Sequence, residues 1–184
     1  MGKKVTGLMF IEKKDRNNTN SNSFHKKRND NSDNLQLLVT TNDNRLRLID
    51  MDNTSTVFKF KGSMHSYKNK SMQIKGTISE DGHYVICGSD NGSVFLWNIS
   101  YTPPKQCINK KFRHNMYESF DPISNGASTT CAIFAPSSCF NKIFNDNNID
   151  WKHYDIKQSA ICSRIIVTAD SKGAIKIFVR DLNP

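Results

Sequence analysis

The residues able to do chemistry are dispersed along the chain. Five histidines (His25, His65, His83, His114 and His153) each fall in a different loop or strand edge. His83 follows Asp81-Gly82 and reads as a turn residue rather than a proton carrier. The five cysteines (Cys87, Cys107, Cys131, Cys139 and Cys162) are odd in number and form no CxxC pair. That pattern gives neither a disulfide framework nor a zinc knuckle, and it suits inert thiols in a reducing compartment. There is no P-loop, no GxGxxG after a strand, no HExxH and no nucleophile elbow. Asp43, Asp50 and Asp90 stand in hairpin turns or at strand ends, where a carboxylate satisfies local backbone donors. The expectation is therefore no catalytic, cofactor-binding or metal-ligating residue, and no enzyme.

Charge offers a second route to function. Lys and Arg number 26 against 17 Asp and Glu, a formal charge of +9, with pI near 9.4. Such a balance raises nucleic acid or an anionic membrane as partners. The basic residues form no stripe interleaved with aromatics, however, and the densest cluster (His25-Lys26-Lys27-Arg28) lies inside an Asn/Ser tract that reads as a solvated loop. Nucleic-acid binding is the alternative function. The opening Met1-Gly2-Lys3-Lys4-Val5-Thr6 fits the myristoylation pattern at Gly2, but one acyl chain gives only marginal membrane binding. The competing reading makes Lys4–Phe10 an inner strand.

Those residues must be positioned by a small core. The chain has 184 residues, 36% of them apolar, enough for one domain diluted by polar segments. Val94–Trp97 is among its longest apolar stretches, far below the ~20 residues of a membrane helix. Gly7–Ile11 is too short for a secretory signal, so the expected location is cytoplasmic, with a place peripheral to membranes as the second reading.

Three segments repeat: Leu35–Asp50, Tyr84–Asn98 and Arg164–Val179. Each is an apolar run, a turn rich in Asn, Asp or Gly, and a second apolar run, the signature of a β-hairpin. Asn44, Gly92 and Gly173 are the equivalent turn positions, 48 and 81 residues apart. The first spacing is close to the roughly 40–45 residues of a propeller blade. The continuously apolar first strands suit sheets covered on both faces.

An all-β, partial propeller of about three blades is thus expected, with blades near 4–50, 56–99 and 105–181 and three, four and four strands. Lys105–Arg113 is read as a strand of the third blade. Residues 13–34 read as a disordered Asn-rich loop insert and 137–162 as a polar loop insert. An open stack should leave an apolar face bare at each end, so that the chain aggregates, self-associates or takes further blades in trans.

At Phe95-Leu96-Trp97-Asn98, with Gly88-Ser89-Asp90-Asn91-Gly92, the chain resembles a WD-repeat blade. Leu38–Asp43, Gln73-Ile74-Lys75, Ala132–Pro136 and Gly173–Val179 narrow the resemblance. They are similar to the C-terminal blades of the Rab-binding WD-repeat proteins of endosomal recycling and their fungal relatives linked to 2-deoxyglucose resistance. This implies a fragment of a seven-bladed propeller that serves as a protein-interaction scaffold in Rab-dependent vesicle traffic. A Rab-type GTPase would bind through regions outside this chain. The family's structural network of His, Ser/Thr, Asp and Trp maps here onto Thr41, Asp43, Asp50, His65, Ser89, Trp97, Thr168 and Phe178. Ile49 and Phe178 stand where the pattern has Trp, and Asn91 and Lys172 where it has Asp, so the network is degraded and packing must hold the blades.

Overall fold

A computed structural model of the chain describes residues 3–12, 35–52, 54–60, 67–100, 117–122, 126–139 and 163–180. Among the described residues, eleven strands form three antiparallel sheets. The first contains β1 (Val5–Glu12), β2 (Leu35–Thr41), β3 (Arg45–Asp50) and β4 (Thr56–Phe60), side by side in chain order. The second contains β5 (Thr77–Ile78), β6 (Tyr84–Gly88), β7 (Val94–Asn98) and β8 (Tyr117–Phe120), again in chain order. The third contains β9 (Thr129–Phe134), β10 (Ile165–Asp170) and β11 (Ile175–Val179).

The three repeated hairpins are β2–β3, β6–β7 and β10–β11. Their turn residues Asn44, Gly92 and Gly173 all have positive φ, at 60°, 91° and 85°. Glycine and asparagine reach that region most readily, which is why the same residue types recur at this position.

Strand membership departs from expectation in two places. Thr56–Phe60 was expected to open the second blade, but it pairs with β3 and completes the first. A short connection closed by Asp50 N–H on the Ser55 carbonyl (2.9 Å) folds it back onto its neighbour, and consecutive strands joined this way pair. The first boundary therefore moves from 50/56 to beyond Phe60. Tyr117–Phe120, inside the span assigned to the third blade, pairs instead with β7 as the last strand of the second. The described strand counts are thus four, four and three rather than three, four and four. The expected strand Lys105–Arg113, the 13–34 insert and nearly all of the 137–162 insert lie outside the described residues. Of the latter insert, Ser137–Cys139 forms one helical turn.

The sheets stack face to face. Leu38, Leu46, Leu48, Phe58 and Phe60 of the first sheet pack on Val85, Cys87, Phe95 and Trp97 of the second, with Tyr67 and Ile74 between. The opposite face of the second sheet, through Ile86, Val94 and Leu96, packs on Ala132 and Ile166 of the third. Phe134 and Phe178 close the margin of this second interface. At Gly88 an added Cβ would lie 2.2 Å from the Thr129 carbonyl oxygen, so only glycine allows these two sheets to approach so closely.

Both outer faces carry exposed apolar side chains, as the open-stack expectation requires. On the first sheet Leu8, Phe10, Leu37, Val39 and Ile49 share the face turned away from the second, with Arg47 and Lys59. On the third, Ile133, Val167, Ala169, Ile175, Ile177 and Val179 share the face turned away from the second, with no charged residue among the strand pairs that form it. Phe10 is 60% exposed, Ile175 72% and Ile177 67%.

Candidate interaction surface

The hairpin turns and the segments that lead into the first strand of each sheet meet at one end of the stack. A single hydrogen bond fixes their frame three times. The N–H of Asn42 donates to the Lys4 carbonyl (3.0 Å), that of Asp90 to Lys68 (2.8 Å), and that of Ser171 to Ser128 (2.9 Å). The residues just before these donors, Thr41, Ser89 and Asp170, are therefore structurally equivalent.

Bonds between sheets join the three turns into a belt. The Asn69 N–H donates to Asn44 Oδ1 (2.8 Å), linking the first turn to the approach of the second sheet. Ser128 Oγ donates to the Asp90 carbonyl (2.8 Å), and the Ser128 N–H donates to Ser171 Oγ (3.2 Å). The Ser89 hydroxyl accepts from the Lys68 N–H (2.9 Å) and lies 3.0 Å from the Lys68 carbonyl, clamping that loop against β6.

Three carboxylates at this end are turned inward. Asp43 is bound by the Thr41 hydroxyl and by Arg47, whose NH2 lies 2.9 Å from Oδ2. Asp90 accepts the backbone N–H groups of Lys70 (2.6 Å), Ser71 (2.9 Å) and Met72 (3.2 Å). Burial pushes both acids up, but hydrogen bonds to the charged form outweigh it and leave both below the usual carboxylate range, Asp43 with help from its arginines. Asp170 Oδ1 accepts from the N–H groups of Lys172 (2.8 Å) and Ala174 (2.9 Å). Lys3, Lys4, Lys68, Lys70 and Lys172 are exposed around the same turns. At this end, then, carboxylates are tied to local donors while lysine side chains stand exposed.

The expected network positions are distributed unevenly. Thr41 and Asp43 meet, as described, with Arg47 as their third member. Ser89 makes the loop clamp. Trp97 is fully buried, with ring centroids 5.6 Å from Phe60 and 5.7 Å from Tyr67. Asp50 stands at the other end of its sheet and caps a turn through the Asp52 N–H (2.9 Å). Thr168 is buried in the face toward the second sheet, and Asp170 occupies the place equivalent to Ser89. Phe178 lies on the inner face against Phe120 (5.1 Å). His65 lies outside the described residues.

Tyr67, which sequence reasoning passed over, stands edge-on to Trp97 and 3.5 Å from the Cys87 sulfur. Its only sequence signal was an aromatic just ahead of the second sheet. Burial pushes the Cys87 thiol up to about 12, which keeps it unreactive. His83 is a turn residue whose N–H donates to Asp81 Oδ1 (3.0 Å). Among the described residues no group of His, Cys, Asp or Glu could hold a metal ion.

No protein-family model matches the chain. The chain is 30% identical over 154 residues to WD repeat-containing protein 44 of Xenopus laevis, covering 78% of this chain and 16% of that protein. Autophagic-related protein 16.2 of Caenorhabditis elegans is 37% identical over 76 residues, 41% of this chain and 14% of its own length. In structure the chain is similar to the β-propeller domain of Myceliophteria thermophila Cps50 (Swd1), at TM-score 0.50 and 12% identity, over 81% of this chain and 37% of that one. The fold is a partial WD-repeat β-propeller. Its three blades stack as propeller blades do, each burying one face on the next. The belt of turns is one end of those blades, where loops meet solvent.

Proposed function

We propose that the chain is one part of a larger closed propeller that serves as a non-enzymatic, cytoplasmic interaction scaffold in vesicle traffic. The observation that carries this reading is the hydrogen-bonded belt of turns, with its carboxylates turned inward and its lysines outward. Blade strands are consumed by packing, which leaves loop surfaces such as this one for partners. The vesicle-traffic setting rests on the resemblance to Rab-binding WD-repeat proteins and on the autophagy-related relative. Any Rab-type GTPase would bind outside this chain. Among the described residues no helix is long and apolar enough to cross a membrane. Nucleic-acid binding, the alternative, has lysines at the belt, whereas the exposed large aromatic among the described residues, Phe10, lies on the outer face of the first sheet and not among those lysines.

Proximity labelling in cells, with the chain fused to a biotin ligase, tests the reading. Vesicle-traffic proteins should be enriched, and the triple variant Lys68→Glu, Lys70→Glu, Lys172→Glu should lose them. Enrichment of RNA-binding proteins, or a profile unchanged in the triple variant, would overturn it.

A further inference from the structure

We infer that the belt docks an extended acidic segment of a partner protein, whose carboxylates pair with Lys4, Lys68 and Lys70 across two blades. The inference rests on the reading of the belt as the partner surface, and it names the chemistry of what binds there.

The repeated frame bond places the lysines. The carbonyl that accepts it belongs to Lys4 in the first blade and to Lys68 in the second. These two lysines are therefore equivalent residues of neighbouring sheets, and Ser128 holds the same place in the third. Stacked sheets lie about 10 Å apart, which is the span of three residues of extended chain at roughly 3.3 Å each. Acidic residues with that spacing meet one lysine per blade. Lys70 stands beside Lys68, its backbone fixed by its N–H on Asp90 (2.6 Å).

The ammonium groups are left for a partner. Among the described residues Lys4, Lys68 and Lys70 are exposed and enter no ion pair. The carboxylates around them are occupied: Asp43 by Arg47 at 2.9 Å, Asp90 by three backbone N–H groups and Asp170 by two.

The other end of the stack has the opposite composition. Among its described residues Glu12, Asp52 and Glu80 are exposed, and Asp50 and Asp81 are half-buried. Of the arginines there, Arg164 is buried and Arg180 is paired with Glu118. An acidic segment is thus attracted at the belt and repelled at the far end, so charge selects the face as well as the partner. A peptide fits better than a nucleic acid, whose bases need aromatic platforms, since Phe10 lies on the outer sheet face and not among these lysines.

Fluorescence anisotropy with labelled, end-capped peptides tests the inference. One peptide carries aspartates at every third position, separated by glycine and serine; a second has the same composition with its aspartates consecutive. The spaced peptide should bind the 184-residue chain, and more tightly than the clustered one. The double variant Lys4→Gln, Lys68→Gln removes two exposed charges, should leave circular dichroism unchanged, and should weaken binding by about two- to thirtyfold. Added salt should weaken it as well. Lys26→Gln with Lys27→Gln, in the Asn-rich tract, should change nothing. A clustered peptide that binds as tightly as the spaced one would overturn the inference, as would binding that depends on Lys26 and Lys27 and not on Lys4 and Lys68. Failure of both peptides to bind would overturn it too, while the partner-surface reading would stand if the triple lysine variant still loses its cellular neighbours. Oligouridylate that binds through Lys4 and Lys68 more tightly than the spaced peptide would overturn both.

Discussion

Replacing Trp97 with alanine tests whether aromatic packing holds the first two blades together. The indole is fully buried, with Phe60 at 5.6 Å, Tyr67 at 5.7 Å and Phe95 at 5.9 Å between ring centroids. A buried tryptophan hides roughly 150–250 Å², which at about 25 cal/mol per Å² is worth ~4–6 kcal/mol. Its Nε1–H finds no acceptor among the described residues, so deletion also removes a desolvated donor worth ~1–3 kcal/mol in the opposite direction. The aromatic pairs and the cavity left behind add to the loss, and the net cost should be about 3–5 kcal/mol. With a urea dependence of about 2 kcal/mol per M, the unfolding midpoint followed by circular dichroism should fall by about 2 M. Trp97→Phe keeps a ring in the same pocket and should cost less than half as much. A midpoint shift below about 0.5 M for the alanine variant would refute the packing argument, because an indole with these three ring contacts cannot be truncated at so small a cost.

Other outcomes follow from the same contacts. Gly88→Ala puts a methyl group against the Thr129 carbonyl and should lower stability by about 1–3 kcal/mol, read as a lower melting temperature. Asp90 has its folded-state pKa held below the unfolded value of about 3.9, so its contribution is complete above that value and disappears as the pH falls through the lower one. Urea midpoints of wild type and Asp90→Asn should accordingly differ at pH 7 and converge in acid; a constant gap would refute the role of the carboxylate. Iodoacetamide at pH 8 should label exposed Cys131 in the folded chain and reach Cys87 only on unfolding, as mass spectrometry of digests can show.

Hairpins and turns were legible because they depend on local chemistry. A β-branched run, a residue that accepts positive φ and a second run specify β2–β3, β6–β7 and β10–β11 with no tertiary information. Frame and sheet membership were not legible, since they depend on bonds between distant residues. Thr168 and Asp170 are both polar residues near the end of an apolar strand, and only the Ser171 N–H on the Ser128 carbonyl shows that Asp170 is the counterpart of Ser89. Tyr117–Phe120 has two exposed residues among four and no apolar run, so its strand character comes from its partner β7. Residues 56–60, at the start of the expected second blade, belong to the first sheet, because sequence order does not say on which side of a turn a strand finds its neighbour. In the candidate surface, Thr41, Asp43 and Ser89 were visible as residue types. Tyr67 gives no sequence signal beyond being an aromatic ahead of the second sheet.

The clasp that Asp90 makes on Lys70, Ser71 and Met72 has a consequence for binding. Three consecutive backbone N–H groups of a surface loop end on one carboxylate, and the Ser89 hydroxyl holds the residue before Asn69. Fixing a residue's backbone costs roughly 1–2 kcal/mol of conformational entropy, and folding has already met that cost here. A ligand that docks on Lys68 and Lys70 therefore immobilises only their side chains, at about 0.5–1.5 kcal/mol each. The loop offers its two ammonium groups on a backbone held by these four bonds, so affinity at this site should respond to the spacing of the acidic groups that meet it.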